Sequence, residues 1–146
     1  MQANRILPDL QCSLLCEDVR QEINGNLILI GVINVIRVQQ LPVTAGRLCV
    51  FNTWTAVVGQ FTETVRLIGP DQTTVLRKGE IKFELKDVMW RSPNVMLFGQ
   101  VEFKTAGTHY IEVAVDDVMK LRYPIPLVVV PPPPGQPPSG PAPVTQ

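Results

Sequence analysis

The segment LLCEDVRQEINGNLILIGVIN, residues 14–34, decides the fold class because it has the form of a β-hairpin with two unlike strands. Its first half begins by alternating apolar and polar side chains, as a strand with one buried face does. The Asn24-Gly25 dipeptide that follows is typical of tight hairpin turns. The strand predicted after it, at about 27–38, is apolar on both faces. Because one face of a sheet usually meets water, the sequence raises the question of what covers the second face.

Alternation with a period of two continues through most of the chain and predicts further strands. Turn signals lie between these runs at 23–26, 69–72, 92–94 and 105–108. The predicted strands cover residues 10–16, 27–38, 47–57, 61–68, 81–86, 95–103, 108–116 and 121–130. No segment has a convincing helical period. We therefore predict an all-β fold, a two-sheet antiparallel sandwich of immunoglobulin-like type with about eight strands.

The composition changes abruptly at Pro131, which divides the chain into a predicted β-sandwich domain, residues 1–130, and a predicted disordered tail, residues 131–146. The tail reads PPPPGQPPSGPAPVTQ, with eight prolines in sixteen residues and no charged or aromatic side chain. Such a segment buries too little surface to fold and favours extended polyproline II conformations. The alternative is a ligand for a proline-binding groove, but no Arg or Lys flanks the prolines to orient it.

Overall composition excludes several classes of function. Hydrophobic residues make up 45% of the chain, and 13 basic side chains balance 13 acidic ones. A nucleic-acid-binding protein needs a basic face to displace counterions, and the balanced charge gives no sign of one, so we predict no nucleic-acid partner. The N-terminus contains neither a signal-peptide core nor a membrane span. We therefore predict a cytoplasmic protein with no membrane contact, in which an odd set of three cysteines stays as free thiols.

Four stretches carry a resemblance to a known family: LLCEDVRQEINGNLILIGVIN, VRLIGPDQ, FKTAGTHYIEVAVDD and IPLVVV. Over nearly all of residues 10–130 the chain resembles small uncharacterised bacterial immunoglobulin-like β-sandwich proteins, a domain of unknown function. The resemblance implies the fold and carries over no catalytic residue. Such domains place an aromatic residue two positions after the glycine of the last hairpin, where this chain has His109, followed by Tyr110.

His109 is the only candidate imidazole base because the chain has one histidine. Alternation places it on the inward face, which favours a core histidine hydrogen-bonded to backbone. The carboxylates that could assist it, Glu112 and Asp116, fall on the opposite face of the same strand. No phosphate-binding loop motif occurs. We therefore predict no enzyme activity, no catalytic residue and no cofactor.

Metal sites have weak support in the sequence. Cys12 and Cys16 share one face of a strand but lie about 13 Å apart, too far for one zinc ion. Only a helix would bring them together, with Cys49 and His109 as possible further ligands. The alternation favours a strand, so we interpret the thiols as small core hydrophobes and predict no zinc site.

A Ca²⁺ site between loop carboxylates is the second metal hypothesis. Asp116 and Asp117 are adjacent, and Asp71 and Asp87 lie in other connections. Ca²⁺ requires six to eight oxygen ligands, and no loop has the dense acidic spacing of such a site. We favour solvated turn residues, a common role of aspartate.

The strand at 27–38 is the first candidate partner surface, because Ile28, Ile30 and Val32 occupy its outer face. A β-bulge at Gly31 that exchanges the two faces is the favoured explanation. Otherwise another segment of this chain or a second protein covers the outer face.

The connection DVMWRSPN, residues 87–94, is the second candidate surface. Its Met89 and Trp90 belong to residue types that are enriched at interface centres. The favoured alternative is that Trp90 folds back and plugs one end of the sandwich, because large aromatic residues are mostly buried.

The function predicted from these features is a non-enzymatic binding or structural module for protein–protein interaction or self-association. The alternative is a carbohydrate- or small-ligand-binding sandwich, which requires a shallow aromatic groove. Pro124 and Pro126 also predict that the last strand is an edge strand, because their missing N–H groups lie on one side of it. The competing interpretation is that residues 123–126 form a loop and only LVVV pairs.

Overall fold

The computed structural model describes residues 5–132 and 134–135, and within them it contains nine β-strands and no helix. The strands are β1 (Asp9–Gln21), β2 (Leu27–Val32), β3 (Ile36–Val38), β4 (Val43–Thr55), β5 (Gly59–Ile68), β6 (Val75–Leu85), β7 (Ser92–Phe103), β8 (Gly107–Val115) and β9 (Val118–Val129). The all-β prediction is confirmed. The described part of the chain thus has no helix with the length and apolarity that crossing a bilayer requires.

The described strands form two sheets, as predicted. The first sheet has the order β2-β1-β4-β7, and the second has the order β3-β9-β8-β5-β6. Neighbouring strands run antiparallel, except for the parallel pair β3 and β9. The sheets approach each other along β6 and β7, where Arg77 Nη1 donates to the Gly99 carbonyl oxygen over 2.6 Å.

The core fills the space between the sheets, and on β8 it follows the alternation that the sequence predicts. His109, Ile111 and Val113 are buried, whereas Tyr110 and Glu112 are partly exposed. The largest fully buried side chains include Trp54, Phe103, Ile36, Leu48 and Leu67. Burial of this apolar surface is the main term that stabilises such a fold.

Two predicted boundaries near the core are wrong. The predicted strand at 27–38 is two strands in different sheets, since the Ile33 amide still bonds the Leu15 carbonyl of the first sheet and β3 then pairs with β9 of the second. This crossing explains part of the two-sided apolar pattern, because Ile33, Ile36 and Val38 all enter the core. The predicted turn at 92–94 lies inside β7, where Asn94 pairs with Asn52 of β4.

The predicted β-bulge at Gly31 is also wrong. Cys16 pairs with Val32 and Asp18 pairs with Ile30, so no extra residue is inserted on either strand. Gly31 instead adopts a positive φ of 65°, a conformation that glycine tolerates better than other residues. The bulge of β1 occurs earlier, between Leu10 and Cys12.

The β1–β2 hairpin folds back over the outer face of its own sheet. Leu27 pairs with Gln21 of β1. Gln21 is nine residues beyond Cys12, and on a straight strand these two residues would lie about 30 Å apart. Leu27 and Cys12 nevertheless line one groove. Arg47 Nη1 of β4 donates to Asp18 Oδ1 over 2.9 Å and ties the folded hairpin to the sheet. A segment of this chain therefore covers part of the outer face.

The cysteines show what the hairpin covers. Cys16 and Cys49 are directly opposite each other on β1 and β4 and are buried, but they are absent from the core cluster that contains their neighbours Leu15 and Val50. Successive residues of a strand point to opposite faces, so the two thiols lie on the outer face. The prediction that the thiols are small core hydrophobes is confirmed for Cys16 and Cys49, which are buried on this face, and not for Cys12, which is partly exposed.

The edge-strand prediction for β9 is wrong for one end of the strand. β9 lies between β3 and β8, and β3 covers Leu127–Val129. The Val130 amide donates to the Val38 carbonyl oxygen of β3. Because alternate backbone nitrogens face the same edge of a strand, the nitrogens of Pro124 and Pro126 face the β3 side, at positions that β3 does not cover. The competing loop interpretation is wrong, because residues 123–126 all pair with β8. The predicted tail at 131–146 lies largely outside the described residues.

Candidate functional site

The candidate site is a groove of about 870 Å³ between the folded hairpin and the β6–β7 connection. Three structural units line it: the hairpin tip, the outer face of the first sheet and the connection. The described lining residues are Gln11, Cys12, Gly25, Asn26, Leu27, Phe51, Thr53, Met89, Trp90, Arg91 and Pro93. We call this surface the hairpin groove. The fold thus brings both sequence-predicted surfaces close to one concave site.

One wall of the groove carries the exposed side chains of the β6–β7 connection. Met89 is 83% exposed and Trp90 is 64% exposed. Asp87 fixes the turn, since its carboxylate accepts from the Met89 amide over 2.8 Å and its carbonyl accepts from the Trp90 amide over 3.0 Å. The Thr55 hydroxyl then donates to the Trp90 carbonyl oxygen. The prediction that Trp90 plugs one end of the sandwich is wrong, because most of its surface is exposed.

The outer face of the first sheet forms the floor of the groove. Thr53 on β4 pairs with Cys12 on β1 and with Pro93 on β7, so these side chains form one row across three strands. Phe51 lies two residues earlier on the same face of β4 and is partly buried. A floor held by cross-strand pairing is rigid compared with a loop.

The opposite wall is the tip of the hairpin. Glu22 and Asn26 close the tip, where the Glu22 amide donates to the Asn26 carbonyl over 2.8 Å. Gly25 takes a positive φ of 94°, as the predicted turn requires. Leu27 faces the groove, whereas Ile23 at the tip is fully exposed. The tip therefore adds apolar surface both inside the groove and at its rim.

The five sequence-predicted surface residues divide into two groups. Met89 and Trp90 line the groove. Ile28, Ile30 and Val32 lie on the same hairpin but are absent from the described lining, and Ile28 is the most exposed of them at 43%. Sequence reasoning missed the lining residues Leu27, Phe51 and Pro93. They could not be found from alternation, because the fold of the hairpin over its sheet creates the groove.

The groove is nearly neutral. Arg91 is the one charged side chain among its described lining residues, and its Nη1 lies 3.4 Å from Gln11 Oε1. Side chains of Gln11, Asn26 and Thr53 add neutral groups that can both donate and accept hydrogen bonds. The arrangement suits a ligand with exposed carbonyl groups and apolar side chains, and it contains no group placed for acid–base chemistry.

His109 lies on the second sheet, away from this groove. Its Nδ1 is 3.2 Å from the Gly107 carbonyl oxygen, and its ring meets Phe103 edge-on at 5.1 Å. Burial lowers the pKa of the imidazole, which keeps it neutral. The prediction of a core histidine hydrogen-bonded to backbone is confirmed. Its candidate carboxylate Glu112 is engaged with Arg66 at 3.5 Å.

The loop aspartates act on the protein's own backbone. Asp116 Oδ2 accepts from Arg5 over 2.8 Å, and its Oδ1 accepts from the Thr62 amide over 2.9 Å. Asp116 and Asp117 both have positive φ and form the tight β8–β9 turn. Hydrogen bonds from Thr74 lower the pKa of Asp71 to about 2, and the bond from the Thr74 hydroxyl has a larger effect than the bond from its backbone amide. The interpretation of these aspartates as turn residues is confirmed.

The proposed zinc ligands are not assembled. The described residues contain no group of three or more His, Cys, Asp or Glu side chains that could hold a metal ion. Cys16 and Cys49 are free thiols on the first sheet, whereas His109 is on the second. Burial is the main cause that raises the pKa of Cys16 to about 11, and the neighbouring Cys49 is the second cause. This thiol therefore stays protonated at neutral pH.

Comparison with known families agrees with the extent of the fold. A family model matches residues 11–128, which span β1 to nearly the end of β9. The chain belongs to DUF6941, a family of unknown function. No curated protein matches the chain. The matched DUF6941 region includes every described lining residue of the hairpin groove.

Proposed function

We propose that this DUF6941 chain is a non-enzymatic binding module that takes an extended, mainly apolar protein segment in the hairpin groove. The observation that carries the proposal is Trp90, a large aromatic side chain that is 64% exposed at the wall of a concave site. Met89 beside it is 83% exposed, and contiguous exposed apolar surface on a domain marks a binding site more often than isolated side chains do. Trp and Met are also enriched at the centres of protein interfaces.

The construction of the groove supports the same proposal. The floor is paired across three strands, and the hydrogen bonds from Asp87 and Thr55 hold the Trp90 wall in place. A site that is already ordered loses less conformational entropy when a ligand binds. The polar lining groups can bond the backbone of an extended segment, while Leu27 and Phe51 contact its side chains.

A binding role is favoured over catalysis by the state of the reactive groups. His109 is buried against Phe103, and Cys16 and Cys49 are covered by the hairpin. His109, Cys16 and Cys49 are therefore remote from the concave site or shielded from solvent. Cys12 lines the groove, but the described lining contains no histidine or carboxylate that could activate its thiol. We propose that the protein is not an enzyme.

A carbohydrate or another small polar ligand is the second candidate. The observation that favours it is the exposed Trp90 face beside Asn26 and Gln11, since sugar-binding sites combine aromatic faces with amide side chains. The neutrality of the groove fits an uncharged sugar as well as a peptide. The two candidates differ in the ligand that Trp90 recognises.

Fluorescence titration of the full chain separates these candidates. Trp54 is fully buried, so a ligand in the groove should mainly change the emission of Trp90. Peptides selected from a random library on the intact protein should change this emission, and Trp90→Ala should weaken their binding about tenfold or more. Met119→Ala is the matched control, because Met119 is 56% exposed on β9 and lies outside the groove.

Three outcomes decide between the candidates. Selected peptides that bind the Met119→Ala variant and not the Trp90→Ala variant support the protein-binding role. Binding of neutral oligosaccharides alone supports the second candidate. Peptides that bind both variants equally contradict a role for the hairpin groove. The immunoglobulin-like type of the sandwich, a bacterial origin and a cytoplasmic location stay predictions from the sequence.

A further inference from the structure

The groove and the proline-rich segment of the chain have complementary chemistry. Residues 131–138 read PPPPGQPP and carry no charge. We propose that this segment of a second copy of the chain is the occupant of the hairpin groove, an inference that rests on the proposed binding function. The protein is then a self-associating module that joins the groove of one molecule to the proline-rich segment of another.

Proline-rich segments present the features that the groove can recognise. Polyproline II conformers have no internal hydrogen bonds, so their carbonyl oxygens remain free to accept from a partner. Aromatic-lined grooves bind them because the rings contact the pyrrolidine faces and little conformational entropy is lost. Trp90 and Phe51 supply the aromatic surface, and Gln11, Asn26 and Thr53 supply neutral donors. The absence of charge in PPPPGQPP matches a lining in which Arg91 is the one charged described residue.

The position of β9 argues for a second copy over the molecule's own segment. Val38 pairs with Val129 near the end of the two sheets at which β4 begins. Only residues 104–106 separate Phe103, the partner of Val43, from Gly107, the partner of Leu127. The groove floor at Thr53 lies ten residues further along β4, which is about 30 Å. Thr53 is also on the outer face of the first sheet, whereas β9 belongs to the second sheet.

The reach of the segment is shorter than this path. Even a fully extended chain of eight residues spans at most about 29 Å, so PPPPGQPP does not reach into the groove of its own domain. Between two molecules no such limit applies. Each molecule carries one groove and one segment, so two copies can exchange segments reciprocally, or several can associate head to tail.

A complementation experiment on the full-length chain tests the proposal. The Trp90→Ala variant retains the segment but lacks the main groove contact. A second variant, with Ser in place of all six prolines of residues 131–138, retains the groove but loses the proline-rich segment. In sedimentation velocity the parent protein should associate with rising concentration, and each variant alone should associate about tenfold more weakly or not at all.

Mixing the two variants should restore association, because one supplies the groove and the other the segment. Met119→Ala should associate like the parent, and circular dichroism should show the parent fold for all variants. A parent protein that stays monomeric at all accessible concentrations would overturn the proposal. A Trp90→Ala variant that associates as strongly as the parent would also overturn it. If the parent is monomeric and the Ser substitutions change the emission of Trp90, the segment binds within its own molecule and the proposal is wrong.

A synthetic peptide of residues 131–138 separates this inference from the proposed function. Binding of this peptide to the Ser-substituted full-length variant, with loss of binding in the same variant carrying Trp90→Ala, supports the inference. If peptides selected from the library bind the groove and this peptide does not, the inference fails and the proposed function stands. If neither binds, both fail.

Discussion

The indole nitrogen of Trp54 donates a 2.7 Å hydrogen bond to Oε1 of Glu63, and this bond joins the two sheets inside the core. Glu63 is fully buried, and the Asn94 amide donates to the same oxygen over 3.3 Å. Within the described residues, Glu63 Oε2 and both amide atoms of Asn52 are buried without a hydrogen-bond partner. Burial raises the pKa of the Glu63 carboxyl above its ordinary value of 4.5, against the opposing effect of the Trp54 bond.

This raised pKa predicts a specific pH dependence of stability. The protonated carboxyl is favoured in the folded state, so its contribution is fully present below pH 4.5 and is lost as the pH rises through the folded pKa. Glu63→Gln keeps the acceptor for Trp54 and stays neutral at every pH. Relative to the parent, this variant should therefore gain stability as the pH increases, by about 1.4 kcal/mol for each unit by which the pKa is raised.

Urea unfolding of both proteins from pH 4 to pH 8 measures this difference. Groups other than Glu63 titrate in both proteins, so their effects cancel in the comparison. Glu80→Gln is the matched control for the loss of one carboxyl group, because Glu80 is exposed on β6 and lies outside the core. A Glu63→Gln difference that does not change with pH would show that the Glu63 carboxyl is not held in its neutral form.

Gly31→Ala should destabilise the protein and loosen the hairpin. Gly31 has a φ of 65°, and an added Cβ would lie 2.6 Å from Oε2 of Glu17. The backbone conformation alone costs a non-glycine residue about 1–2 kcal/mol. Gly46→Ala is the control, because no atom lies within 4 Å of the added Cβ and Gly46 is not among the residues with positive φ. Equal stability of the two variants in urea unfolding would contradict this role of Gly31.

Thiol labelling should report the cover that the hairpin provides. Cys12 is partly exposed, whereas Cys16 and Cys49 are buried. Burial also raises the pKa of both buried thiols, which lowers the fraction of reactive thiolate. One thiol per folded chain should therefore react rapidly with an aromatic disulfide reagent, and Cys12→Ser should remove this fast phase. Three equal rates in the parent would mean that the hairpin does not shield the sheet.

Pro124 and Pro126 should limit edge-to-edge association along β9. Both face the side of the strand that β3 leaves uncovered before Leu127. Replacing both by Thr restores two backbone donors on that side and raises strand propensity. The double variant should stay folded but aggregate faster in light scattering, because an open strand edge recruits other strands. Unchanged solubility together with unchanged hydrogen exchange would show that these prolines do not protect an edge.

The sequence predicted the strands well where one face of each strand is buried. On β8 the alternation from His109 to Val113 places each side chain on the face observed. The pattern failed at 27–38, where a run that is apolar on both faces crosses from one sheet to the other. It also failed at 92–94, because Pro93 and Asn94 resemble a turn although they lie at the start of a strand. Local patterns cannot distinguish these cases, since the deciding contacts come from other strands.

The sequence by itself determined the all-β class, most of the strands and the inward position of His109, because these depend on local periodicity and residue type. It also marked Met89 and Trp90 as candidate surface residues by their type. Only the tertiary structure decided how the hairpin lies, and therefore that Cys16 and Cys49 are covered and that Leu27 meets Phe51 and Trp90 in one groove. The physical reason is that the groove is lined by residues of β1, the hairpin tip, β4 and the β6–β7 connection, which are distant in sequence and meet only through the pairing and packing of the strands.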